Sequence, residues 1–288
     1  MTAVATADRS RAPVLNALCI DVDDLCTALI EYGRVIRNPI RTVAEETRHV
    51  LDHLAGLGLQ ATFFIPGHVS RDDPSLVREI ARAGHEIASH GDRHCRVIAL
   101  GRAGFLQDAL VSRQRLEDLT GCPVETYKAP AWSLEPDCTW AYDVLAEAGY
   151  RYDHSATPAM KRALMRDPSE RRPFLAPSGV VVIPPTCITF AGRTIMMAGG
   201  FHSKYVPAPL LKRMLARINA EGLPFNYYFH PFEHSPAPIH AELRFKEGFA
   251  LGLYTLHLGV HRQQFEHLNR EFAFAPLHAA YASHVSAF

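Results

Sequence analysis

The sequence predicts an α/β barrel of parallel strands with a C-terminal extension, and three observations predict it. Short apolar runs alternate with amphipathic stretches of helical period over roughly 220 residues. Seven strand candidates can be counted, most of them separated by a helix. Polar clusters fall one after another where those strands end. Such alternation argues for parallel strands joined by crossover helices, and a closed or nearly closed barrel is the economical way to bury them.

The elements follow in order. Residues 1–13 are polar, lack the apolar segment of a secretory signal, and read as a disordered leader. Val14–Ile20 is an apolar run that stops abruptly at acidic residues, as a buried parallel strand does. From Arg41 to Leu57, apolar residues recur between charges and Gly58 supplies the stop, which predicts a helix. Ala61–Ile65 is the second strand, closed by Pro66 and Gly67. A helix over Pro74–Arg82 ends at Gly84 and leads into a strand at His85–Ser89. A helix from Gly104 to Leu119, a strand at Val124–Ala129 and a helix from Pro136 to Ala148 continue the rhythm. Strands at Tyr150–Asp153, Val180–Ile183 and Asn226–His230 complete the seven, with a helix at Pro209–Glu221 before the last. Ala159–Pro177 lacks periodicity and reads as a surface excursion. The domain division expected is a leader at 1–13, a barrel at 14–247 and an extension at 248–288 packed on it, with a helix over Val260–Glu271.

Composition narrows the function classes. The 288 residues carry 30 basic and 30 acidic side chains, so no net field draws the chain to nucleic acid or anionic lipid. No apolar stretch reaches the ~18 residues of a membrane span. Six cysteines show no CxxC pair and no regular spacing, which favours a reducing, cytoplasmic setting over a disulfide framework. Sixteen histidines are the one excess, and they make a metal or proton-transfer site worth seeking.

In parallel barrels, chemistry sits where strands end and βα loops begin. Five clusters fall there: Asp21–Asp24, Ser89–His94, Lys128–Trp132, Asp153–Ser155 and Phe229–Pro231. His90 and His94 are four apart, so one helical turn would put both imidazoles on the same side. With one carboxylate of the Asp23–Asp24 pair they offer two nitrogens and an oxygen to a cation, leaving a position for water. The other carboxylate would take that water's proton, and His230 would protonate a departing nitrogen. Taken singly, these features have bland readings: HxxxH on an exposed helix, Asp23–Asp24 as a cap, Lys128 at the surface, Trp132 and His230 in the core. Their joint position at strand ends favours a site.

These motifs resemble the polysaccharide deacetylase family, the NodB-type carbohydrate esterases. The resemblance implies a distorted (β/α)7-type barrel, the NodB homology fold, with one divalent metal held by one Asp and two His. On Ile20–Asp24 it implies Asp23 as general base and Asp24 as metal ligand. His90 and His94 correspond to the metal-binding pair. Lys128-Ala-Pro-Ala-Trp132 falls on an Arg-x-Pro motif whose basic residue orients the catalytic aspartate, with the N–H of Ala131 facing the oxyanion. Phe229-His-Pro231 falls on the motif that supplies the general acid, His230. Further similarity, through Leu116–Gly121, Trp140–Asp153 and Tyr228–Glu233, points to a subgroup from exopolysaccharide loci that carries a C-terminal extension. Three departures stand out. Lys128 replaces arginine and loses its bidentate fork, so the base is expected to be held less rigidly. Asp23 stands where the subgroup often has Glu, and Asp92 and Arg93 separate the histidines where an aromatic is usual.

The expected activity is therefore a metal-dependent N-deacetylation of an amino sugar, either a saccharide or a small amino-sugar conjugate. Zinc is the first choice of metal, with Ni2+, Co2+ or Mn2+ as substitutes. Asp153 is assigned as the partner that orients His230, and Trp132 as a platform for a sugar ring. A deformylase or a hydrolase of cyclic amides and ureides is the alternative on the same scaffold. A non-haem iron oxygenase would use the same ligand types but requires an all-β jelly roll. A non-catalytic sugar-binding protein is the remaining reading. The sequence leaves the oligomeric state open.

Overall fold

The computed structural model describes residues 13–25, 27, 42–164, 166–197, 199, 203, 205–234, 258–286 and 288. Its centre is a curled, mainly parallel sheet, and all seven strands expected from the sequence are in it. They are β1 (Leu15–Asp21), β2 (Thr62–Ile65), β3 (Glu86–Ser89), β4 (Thr126–Tyr127), β5 (Tyr152–Asp153), β7 (Val181–Val182) and β10 (Asn226–Phe229). The spatial order is β10-β1-β2-β3-β4-β5-β7, with β6 (Phe174–Leu175) antiparallel on the far edge. Central strands are buried on both faces, as in Ala17, Leu18, Cys19 and Ile20, all fully inaccessible. That burial is why β1 reads as a continuous apolar run without alternation.

The described helices include α1 (Val43–Leu57), α2 (Gly67–Asp72), α3 (Pro74–Arg82), α4 (Val97–Thr120), α5 (Ala141–Glu147), α6 (Pro158–Ala163), α7 (Ala208–Ala220) and α8 (Pro231–His234). Two more, α9 (Leu258–Asn269) and α10 (Leu277–Val285), follow near the C-terminus. The helix starting before Gly104 is longer than periodicity suggests, because Val97–Leu100 joins it across a break at Gly101 with φ 63° and ψ 173°. Ala159–Pro177 is not a mere surface excursion. It contains α6 and β6, and Met160, Lys161 and Phe174 are buried there. Pro158 at the helix start and the Thr157 hydroxyl, which accepts the Met160 N–H, begin a helix too short to show a period.

Side chains join the two sides of the curl. Asn226 on β10 accepts the Thr186 N–H at 2.7 Å and donates to the Pro184 carbonyl at 2.8 Å, tying the segment after β7 to β10. Near the same seam Gly199 bridges Tyr228, and a Cβ there would lie 1.9 Å from the Tyr228 carbonyl oxygen, so only glycine fits. A separate hairpin, β8 (Cys187–Phe190) and β9 (Arg193–Met196), leaves the sheet after β7. Ala17 of β1 pairs with Asn226 on one side and with Ala275 of β11 (Ala273–Ala275) on the other, so the C-terminal region contributes a strand to the main sheet. The jelly roll required by the iron-oxygenase reading is thereby excluded. The expected leader through residue 12 and the expected start of the extension at 248 lie outside the described residues. No described helix is long and apolar enough to cross a membrane.

Candidate active site

Polar side chains gather at the C-terminal ends of β1, β3, β4 and β10. Asp21, Asp23 and Asp24 are all buried, but they face different partners. Asp21 receives the Lys128 Nζ on both oxygens, at 2.7 and 2.5 Å. Asp23 Oδ2 lies 3.2 Å from His94 Nε2 and 3.6 Å from His90 Nε2. Asp24 Oδ1 accepts the Thr27 N–H at 2.6 Å, the bond of a capping residue at the start of a helical turn. The structure thus corrects the aspartate register. Asp23, not Asp24, meets the histidines, and Asp21, not Asp23, meets the lysine. β1 ends at Asp21, and the Asp23 N–H folds back onto the Asp21 carbonyl at 2.8 Å, a tight turn about Val22 that sets Asp23 beside the histidines while Asp24 caps the next helical turn.

His90 and His94 are brought together, but by a loop in place of the expected helical turn. Gly91 and His94 both take positive φ, 75° and 54°, which folds the chain back within five residues. The rings stand edge to face with centroids 4.9 Å apart. His90 Nδ1 lies 2.7 Å from the Lys128 carbonyl, to which it donates, leaving the Nε2 lone pair directed to Asp23. One ligand atom from each of Asp23, His90 and His94 fits within 4.8 Å, the only such group among the described residues. Asp23 Oδ1 is buried without a hydrogen-bond partner. A carboxylate with an orphaned oxygen beside an imidazole lone pair is a donor set that suits a divalent cation. Burial opposes ionisation of Asp23, yet when His94 and His90 carry protons on the facing nitrogens their charge and hydrogen bonds hold its carboxyl well below the usual range.

Lys128 is buried and enclosed. Its Nζ lies 4.2 Å from the ring centroids of both Trp132 and Tyr228 and 5.2 Å from that of Phe64. The lysine therefore reaches both Asp21 oxygens from an aromatic box, and the looseness expected from the missing guanidinium fork is not found. Trp132 offers one ring face to this ammonium and packs edge-on against Tyr228 and His154, which limits it as a free sugar platform. Ala131 and Trp132 take φ of 50° and 53°, successive left-handed residues without being glycine. Such strain is held by its surroundings, here by Ser155, whose hydroxyl accepts the Ala129 N–H at 2.8 Å.

His230 completes the mouth, with Nε2 3.9 Å from Asp21 Oδ2. Its Nδ1 bonds Glu233 Oε2 at 2.9 Å, and the same oxygen accepts the His230 N–H at 3.0 Å. Burial works against the charged imidazole, but Glu233, with Asp21 and Asp23 behind it, raises the His230 pKa above its ordinary value. Asp153 is not the partner assigned to His230. Its Oδ2 instead accepts the Tyr142 hydroxyl at 3.2 Å and the Ser155 N–H at 3.1 Å, and burial pushes its pKa up to about 6. Asp21 and Glu233 are thus the two groups missed from sequence. The place of Asp21 as the first acidic residue at the strand end would have found the first, and the three-residue spacing from His230 into α8 the second.

Residues 38–152 match the family model for polysaccharide deacetylase, and residues 154–282 match a domain of unknown function, DUF3473. The first match holds His90, His94 and Lys128, and the second holds His230 and Glu233. A peptidoglycan deacetylase of Helicobacter pylori is 34% identical over 97 residues, 34% of this chain and 32% of the relative. A chitooligosaccharide deacetylase of Sinorhizobium fredii is 33% identical over 111 residues, 38% of this chain and 49% of the relative. The matches thus span less than half the length of these curated relatives. A solved structure from Mycobacterium smegmatis, of the polysaccharide deacetylase type, superposes with TM-score 0.61 at 20% identity, covering 99% of this chain and 95% of that one. That likeness shows the fold.

Proposed function

We propose that this chain, whose residues 38–152 match the polysaccharide deacetylase family model, is a metal-dependent hydrolase that removes an N-acetyl group from an amino sugar. The observation that carries this reading is the meeting of three units at one mouth: Asp23 with His90 and His94, Asp21 with Lys128, and His230 with Glu233. Asp23, His90 and His94 would hold one divalent cation, with zinc the best match to two imidazoles and a carboxylate. Bound there, the cation would polarise the acyl carbonyl and acidify water.

The remaining chemistry belongs to the chain. Asp21, ion-paired with Lys128, accepts the proton of the attacking water. His230, whose pKa Glu233 raises, stands 3.9 Å from Asp21 and delivers a proton to the departing amine. The Ala131 N–H faces the developing oxyanion, a contribution of about 3–4 kcal/mol in comparable sites. The substrate class proposed is an N-acetylated amino sugar, as oligomer or small conjugate. The chitooligosaccharide and peptidoglycan deacetylases among the relatives support that class.

The decisive experiment pairs metal analysis with acetate release from N-acetylglucosamine oligomers. Asp23→Asn should empty the metal site and abolish turnover. Asp21→Asn should retain metal and lose at least about 100-fold in kcat. Equal activity in Asp21→Asn would remove the assigned base. Turnover of formylated amines or cyclic ureides in place of acetylated sugars would move the reaction to the other C–N hydrolase class.

A further inference from the structure

Between His90 and His94 run three residues whose backbone N–H groups turn inward, away from solvent. All three are captured by side-chain oxygens, two of them by Asp108 on α4 and one by Ser89 on β3. The Gly91 N–H donates to Ser89 Oγ at 3.3 Å, and that hydroxyl is in turn 2.7 Å from Ser112 Oγ on α4. The Asp92 N–H donates to Asp108 Oδ2 at 2.8 Å, and the Arg93 N–H to Asp108 Oδ1 at 2.9 Å. Asp108 and Ser112 are one helical turn apart, so a single helix face addresses the whole link. Both are buried, at 2% and 1% exposure.

The link needs such a hold. It contains no helix or strand of its own, and two of the five residues from His90 to His94, Gly91 and His94, have positive φ. A loop of that kind otherwise samples many conformations, and each would separate the two imidazoles. A carboxylate is suited to the task because its two oxygens accept two neighbouring N–H groups at once. The fit is close, since a Cβ on Gly91 would lie 3.0 Å from Asp108 Oδ2.

We propose that Asp108, assisted by Ser112, is a positioning residue that sets the His90–His94 geometry for cation binding from the far side of the loop. The inference rests on the reading of Asp23, His90 and His94 as the cation site. Asp108 is no member of the cation triad and acts through the backbone of Asp92 and Arg93, with the Arg93 Nε also 3.8 Å from its Oδ1. In Asp108→Asn one oxygen is retained, but the amide nitrogen faces an N–H donor and the clamp opens.

The test is zinc affinity, measured by chelator competition on metal-free, folded protein well below its melting temperature. Asp108→Asn should weaken zinc about 10-fold or more, in the range seen when groups supporting metal ligands are lost. Ser112→Ala should weaken it less, because Ser89 Oγ remains. Leu116→Ala, a buried apolar site on the same helix, should lower Tm and leave zinc affinity unchanged. If Asp108→Asn fails to fold, Gly91→Ala carries the same expectation, because it displaces the turn and leaves the carboxylate in place. Zinc affinity in Asp108→Asn within two-fold of the parent, or an equal loss in Leu116→Ala, overturns the clamp while the cation site stands. Absence of zinc binding by the parent chain overturns both.

Discussion

An ammonium and an aspartate buried together carry a large desolvation cost unless their surroundings restore what water supplied. Around Lys128 that restoration is specific. Both Asp21 oxygens accept from Nζ, and two ring faces at 4.2 Å present their negative quadrupoles to the remaining charge. The box is sized for a compact tetrahedral cation. A planar guanidinium is longer and wider, so Lys128→Arg must displace Trp132 or Tyr228. The substitution should cost about 1–3 kcal/mol of stability, as overpacked buried sites do, with metal content unchanged. Urea unfolding of the two proteins measures it, and an arginine variant as stable as the parent would show that the box is not closed around lysine. At this scale sequence reading was partial. The residue types were visible, but a default surface lysine gave no sign of its aromatic neighbours, which come from β2, β10 and the loop after β4.

Elements decide which of several nearby carboxylates does what. β1 delivers Asp21 to the mouth, a tight turn about Val22 brings Asp23 beside it, and Asp24 passes into the next helical turn. An adjacent Asp pair reads as a unit in sequence and is split in space. On the opposite side β10 ends at Phe229, and α8 begins at Pro231, so His230 and Glu233 stand three apart across a helical first turn. Local geometry therefore outcompetes Asp153, which lies on β5 and is bonded to Tyr142. The consequence is a pH dependence. Glu233 raises the His230 pKa against the pull of burial, so removing its charge lowers that pKa and depletes the protonated imidazole at neutral pH. In Glu233→Gln the basic limb of the kcat/KM profile should move to lower pH, with roughly 10-fold lower rate at pH 8. A basic limb that stays in place would mean that another group supplies the leaving-group proton.

For the whole molecule, the parallel alternation was legible because long-range apolar periodicity survives any local detail, and all seven strands were found. What escaped was short or non-periodic: the two-residue edge strand β6, the β8–β9 hairpin, and β11, which returns from the C-terminus to pair with β1. Closing a curled sheet in this way buries polar side chains inside the fold, and three of them are histidines held neutral. Burial lowers the pKa of His85 and His154 to about 4 and that of His234 to about 3. His85 Nδ1 accepts the Ala61 N–H, and His154 Nδ1 donates to the Ile183 carbonyl. Each folded pKa lies below the unfolded value of 6.5, so the unfolded chain binds more protons in acid. Their stabilising contribution is complete above that value and is lost as pH falls towards the folded pKa. By pH 5 each should have cost about 2 kcal/mol. Asp153 runs the other way. Its folded pKa of about 6 is raised above 3.8, so its contribution is complete below 3.8 and lost as pH rises through 6, and acidification returns about 1 kcal/mol between pH 7 and 5. His230, with its raised pKa, also gains as pH falls, but three histidines outweigh these two groups, and the metal-free protein should lose a few kcal/mol between pH 7.5 and 5 in urea unfolding. His85→Gln, which keeps an acceptor for Ala61 but cannot titrate, should shallow that loss by about a third. Stability that is flat or rising over the same interval would mean that these imidazoles are not held neutral inside the fold.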